Sequence, residues 1–106
     1  MKVVFLRSAE ADLRDLRAYV VKNFGTRTWS TTYSKIKEAV AIVEANPRAG
    51  RIPDEFQSLN IPQYRQVLSG TNRIVFELRD DTVYVHLICD TRRDLKSLLM
   101  KRLVQS

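Results

Sequence analysis

Arg65, Arg73, Arg92 and Arg93 are the side chains best placed to do chemistry in this chain. Arg65 and Arg73 flank the turn sequence Ser69-Gly70-Thr71-Asn72, so they fall on neighbouring strands, and both guanidinium groups are expected to reach one exposed sheet face. Arg92 and Arg93 directly follow the next strand. A planar guanidinium grips a carboxylate or phosphate through paired hydrogen bonds, so the set would hold a phosphodiester or an acidic protein segment. Singly, each arginine reads equally well as a solvated charge or as the partner of Glu77, Asp90 or Asp94.

His86 is the only histidine. Strand alternation puts it on one face with Tyr84 and Ile88, where it could serve as a general base near neutral pH; a structural imidazole is the plainer reading. Cys89 lies an odd number of residues away, so it is expected on the opposite face, as a small core hydrophobe that forms no couple with His86. Trp29 and Tyr33 belong to an apolar helix stripe and are expected in the core. Leu95, Leu98, Leu99 and Leu103 form another stripe, which either covers the sheet or seats a partner's helix.

The elements that must position these residues follow from periodicity. Val3 to Leu6 reads as a strand. Ser8 can cap a helix with Glu10 and Asp12 near its positive end, and the stripe Ala9, Leu13, Leu16, Val20, Phe24 stops at Gly25. Thr26 or Thr28 can cap a second helix through Trp29, Tyr33, Ile36, Val40 and Val43, ended by Asn46-Pro47. Two such helices joined by a glycine turn form an antiparallel hairpin. All three prolines lie between residues 47 and 63, in a loop expected to be partly helical around Asp54 to Ser58 or packed down by Phe56, Leu59 and Ile61. Tyr64 to Leu68, Arg73 to Arg79 and Val83 to Cys89 alternate with period two and predict a three-stranded antiparallel meander. One face, with Ile74, Phe76 and Leu78, should meet the hairpin, and the other, with Arg73, Val75, Glu77 and Arg79, should carry charge. Thr91 with Asp94 suggests a capping box for a final helix. The fold class is α+β.

Length and composition bound the rest. The 106 residues suit one domain spanning 1–106, and 44% hydrophobic with 28% charged content is globular. One Cys and one His cannot make a zinc site or a disulfide scaffold, so no metal and no cofactor is expected. The lone thiol and the short apolar run at the N-terminus point to the cytoplasm and to no membrane partner. No glycine-rich phosphate loop, hydrolase elbow or HExxH sequence is present. The net charge is +6, spread evenly: residues 1–63 carry ten basic and seven acidic side chains, and residues 64–106 carry eight and five. That surplus favours an acidic partner.

Ala9-Glu10-Ala11-Asp12-Leu13-Arg14-Asp15-Leu16, Phe24-Gly25, Asn46-Pro47-Arg48-Ala49-Gly50-Arg51, Tyr64-Arg65, Asn72-Arg73-Ile74-Val75-Phe76 and Arg92-Arg93-Asp94-Leu95 together resemble the RelE/ParE toxin superfamily. The likeness runs through nearly the whole chain in order, and the long hairpin ending in a Pro-x-x-Gly loop looks more like the ParE branch. The resemblance implies a type II toxin, tied to plasmid stabilization and neutralised by an antitoxin whose C-terminal segment wraps it. ParE-like members poison DNA gyrase with no chemistry of their own. RelE-like members are endoribonucleases that cut messenger RNA on the ribosome. Arg65, Arg73 and Arg93 match basic RelE positions, whereas a further basic position falls on Val67 and the C-terminal tyrosine falls near Leu99, which weakens the cleavage reading. The expectation is therefore gyrase inhibition through Arg65, Arg73, Arg92 and Arg93, with antitoxin binding at Leu95, Leu98, Leu99 and Leu103. The alternatives are ribosome-dependent cleavage with His86 as base, or a nontoxic antitoxin-binding relative.

Overall fold

The computed structural model describes residues 1–105, Gln105 by its backbone only. Strand β1 (Lys2–Phe5) leads into helix α1 (Arg7–Phe24) and helix α2 (Thr26–Ala45). Short 3₁₀ turns at Pro47–Ala49 and Asp54–Phe56 connect to β2 (Tyr64–Ser69), β3 (Asn72–Arg79) and β4 (Thr82–Asp90), and α3 (Leu95–Gln105) ends the chain. The expected α+β order is present, with the meander strands one residue longer at their ends than alternation alone marked.

The strands form one sheet in the order β1-β4-β3-β2. The meander is antiparallel, and β1 lies against β4 in parallel, Val3 opposite Val83 and Phe5 opposite Val85. A parallel pair needs a long crossover, here supplied by everything between β1 and β4. The sequence pattern marks β1 as a strand but carries no signal for its partner.

The helix ends differ from expectation. Ser8 does not cap α1; the cap position is Leu6, and the Ser8 hydroxyl instead donates across to the His86 carbonyl at 3.1 Å. Neither Thr26 nor Thr28 caps α2. Gly25 stands between the helices at φ 93°, a backbone conformation open to glycine, and its amide closes α1 on the Val20 and Val21 carbonyls. At α3 the cap is Asp94 rather than Thr91: its carboxylate accepts from the Ser97 amide (3.2 Å) and hydroxyl (2.8 Å).

Both sheet faces are covered. On one, Ala9, Ile36, Ala39 and Val43 of the hairpin meet Ile74, Phe76, Val83, Val85 and Ile88. On the other, Phe56 from the proline-rich loop and Leu95 and Leu99 from α3 close over Tyr64, Val75 and Leu87. The second face is thus not the open charged surface that alternation suggested. It is a second core with polar groups at its margins, and the loop is both partly helical, at Asp54–Phe56, and packed down, through Phe56, Leu59 and Ile61. Tyr33 also departs from expectation: it stacks on Trp29 at 5.5 Å with Lys37 Nζ 4.8 Å above its ring, and it is 38% exposed, lining a shallow groove with Phe5, Leu13 and Val40.

Candidate binding cleft

A β-bulge decides where the polar side chains of β4 point. The β3–β4 register slips between Val75 and Phe76, so that Val75 opposes Leu87 but Phe76 opposes Val85, leaving His86 as the extra residue. His86 and Leu87 therefore both reach the second face, and Ile88 returns to the hairpin face. This corrects two expectations. His86 does not share a face with Ile88, and it does share one with Cys89.

The shared face still yields no thiol–imidazole couple. His86 is buried and engaged elsewhere: its Nε2 lies 2.9 Å from Glu77 Oε1, and its ring meets Tyr64 edge-on at 5.3 Å. Glu77 also accepts from Arg79 (2.8 and 3.4 Å), whose guanidinium lies over the Tyr84 ring at 4.6 Å. Burial alone would raise the Glu77 carboxyl, but the hydrogen bonds from Arg79 and His86 and the Arg79 charge more than offset it and hold it below the usual range. Burial pushes the Tyr64 hydroxyl up, with the Glu77 charge adding to it. Burial likewise pushes the Cys89 thiol up, outweighing Arg73 and Arg93. A raised thiol is a poor nucleophile.

The four arginines do not converge. Register sets Arg65 opposite Phe76 and Arg73 opposite Leu68, which puts their side chains on opposite faces. Arg65 turns to the hairpin side, where Nη1 donates to the Gly50 carbonyl at 3.1 Å. Arg73 is a clamp on the second face, 15% exposed at its side chain: Nη1 reaches Glu55 at 2.8 Å and Gln66 at 3.4 Å, and Nη2 reaches the Thr91 carbonyl at 3.1 Å. It binds the loop and the β4–α3 turn to the sheet. Arg92 and Arg93 stand in solvent beyond β4. Arg92, 89% exposed at its side chain, donates through Nε (2.9 Å) and Nη2 (3.2 Å) to Asp90.

Sequence reasoning missed the Asp12–Arg102 pair. Arg102 of α3 grips Asp12 of α1 with Nη2 at 2.6 Å and Nη1 at 3.1 Å, and Nη1 also donates to the His86 carbonyl at 3.3 Å. Asp12 in turn accepts from the Ile88 amide at 3.0 Å. Asp12 thus joins both helices to the edge of β4 where β1 has ended, instead of serving the α1 dipole. An aspartate on the buried flank of a helix, one residue before Leu13, was the available signal.

Beyond that junction a cleft of about 690 Å³ opens between α1, the start of α2, the end of β4 and α3. Leu16, Val20 and Leu98 are its apolar lining, the exposed Tyr19 and Phe24 and the exposed Arg92 and Arg93 form its rim, and Asp15 also borders it. The volume lies in the range of ligand and peptide sites. Of the leucines proposed for a partner, Leu98 borders this cleft and is half-buried, Leu95 and Leu99 lie in the second core, and Leu103 is exposed at the far end of α3.

The cleft is thus set in a fold with a helical hairpin on one face of a β1-β4-β3-β2 sheet and a terminal helix on the other. The chain is similar in structure to "Chromosomal ParDE TA system from P. aeruginosa", at 18% identity and a TM-score of 0.70 over 85% of this chain and 95% of that one. The family model described as "ParE toxin of type II toxin-antitoxin system, parDE" matches residues 3–95. The chain therefore belongs to the ParE toxin family. A search of curated proteins found no match.

Proposed function

We propose that this protein is a growth-inhibiting toxin that poisons DNA gyrase in the cytoplasm and is held inactive by a cognate antitoxin. The observation that carries this reading is the arginine-rimmed cleft in a chain of the ParE family: Arg92 and Arg93 face solvent at its mouth, while Arg65 and Arg73 are engaged in holding the fold. The antitoxin occupies the cleft, with its acidic groups on Arg92 and Arg93 and its apolar groups on Leu98, Leu16 and Val20. Gyrase is engaged through the same exposed arginines, so antitoxin and target compete.

Messenger RNA cleavage on the ribosome is the second reading, and the placement of residues argues against it. A cleavage site must orient the ribose hydroxyl and stabilise the phosphorane within one pocket. Here Arg65 and Arg73 lie on opposite faces, Val67 packs against the hairpin core, Leu99 is buried, and His86 is paired with Glu77. The test adds purified protein to a gyrase supercoiling reaction and, separately, to translating ribosomes followed by primer extension. Lost supercoiling or trapped cleaved DNA, with intact message, is expected. Codon-phased cuts with normal supercoiling would overturn the gyrase reading. Unimpeded growth on expression without a partner would mark a nontoxic antitoxin-binding relative.

A further inference from the structure

We propose that the cleft receives a short acidic segment of the antitoxin as an extended strand, paired in parallel with the outer edge of β4 and collinear with β1. The inference rests on the antitoxin reading above and specifies the conformation of the occupant. An edge strand presents a row of outward amides and carbonyls that must be covered or paired. β1 covers the first half of β4 and ends at Phe5, opposite Val85. Past that point the edge is filled group by group. The Leu6 amide donates to the Val85 carbonyl at 3.0 Å, Ser8 and Arg102 donate to the His86 carbonyl, and Asp12 accepts from the Ile88 amide.

The filling stops there. In an antiparallel pair, residues alternate between facing the partner strand and facing away from it. The Thr91 amide donates inward to the Thr71 carbonyl at 2.8 Å, and the Ile88 amide points outward to Asp12. The Ile88 carbonyl and the Asp90 amide therefore also point outward. Both residues border the cleft, and among the described residues neither group takes part in a turn, cap or side-chain hydrogen bond. One residue of a parallel strand, opposite Cys89, donates to the first and accepts from the second. Antiparallel pairing would need either the Ile88 amide, which Asp12 already holds, or the Asp90 carbonyl, which accepts from the Arg93 amide at 3.0 Å.

The surroundings select the side chains. Leu16, Val20 and Leu98 receive apolar groups on the wall, and Arg92 and Arg93 receive carboxylates at the rim. With Nε and Nη2 on Asp90, Arg92 keeps Nη1 for an incoming acid.

The test uses ¹⁵N-labelled toxin with and without the unlabelled cognate antitoxin. Two readouts are taken: affinity, and hydrogen exchange at the Asp90 amide. Binding is expected to slow Asp90 exchange by about tenfold or more, since a new backbone hydrogen bond must open first. Arg92→Glu with Arg93→Glu is expected to weaken affinity about tenfold while the thermal midpoint holds. Tight binding with unchanged Asp90 exchange, or helical carbonyl shifts in the bound segment of a second sample prepared with ¹³C,¹⁵N-labelled antitoxin, would overturn the added strand and leave the antitoxin reading standing. Absence of any association would overturn both.

Discussion

Arg92 and Arg93 differ from Arg65 and Arg73 in what holds them, and that difference separates function from stability. Arg92→Ala with Arg93→Ala removes only surface bonds, so the thermal midpoint should stay within a few degrees while growth inhibition falls; full toxicity would show that the rim is not used. Arg73→Ala should instead cost about 1–3 kcal/mol in denaturant unfolding, because it strips partners from half-buried Glu55 and the Thr91 carbonyl. Glu77 adds a pH dependence. Its carboxyl is held below its ordinary value of 4.5, so the stability it contributes is present above that value and is lost as pH falls through the lower folded one. Thermal midpoints should therefore decline below about pH 4.5, and Glu77→Gln should flatten the decline. The arginine error was avoidable from the sequence. A two-residue turn at Gly70-Thr71 pairs Leu68 with Arg73, and Leu68 is three residues from Arg65, so opposite faces follow from alternation alone. The bulge at His86 was not legible, because nothing in Val83-Tyr84-Val85-His86-Leu87 marks an extra residue.

At the scale of elements, periodicity located both long helices, the meander and α3 because each buries a continuous stripe. It could not see that the loop before β2 closes over the second face. The start of the same loop makes a separate demand on the hairpin side at Gly50, where an added Cβ would collide with Phe76 Cζ and stand 2.8 Å from its Cε1. Gly50 has an ordinary φ of −74°, so the demand is for space and not for backbone freedom. Gly50→Ala should destabilise by about 1–3 kcal/mol, measured by chemical denaturation, through displacement of Phe76 from the hairpin core. Capping was the least legible feature. Ser8 looks like a cap, yet its hydroxyl finds a better acceptor in a strand carbonyl distant in sequence.

At the scale of the whole molecule, one sheet carries a core on each face, and Asp12 with Arg102 joins the helices of the two sides. Arg102→Ala should loosen α3 and leave Asp12 half-buried with a lost partner, costing about 1–3 kcal/mol. Faster amide exchange through α3 and at Ile88 would report it; unchanged exchange would show that the leucines alone hold the helix. The sequence showed how many elements there are and in what order, but not that β1, formed first, lies between solvent and the strand formed last. That order has a consequence during protein synthesis. While the ribosome is still making α1, α2 and the meander, β1 has nowhere to dock, and the Asp12 junction waits for Arg102 near the C-terminal end. A nascent or prematurely terminated chain thus lacks both the closed sheet and the finished cleft. The Asp12–Arg102 junction, and with it the finished cleft, is in place only after α3 has been made.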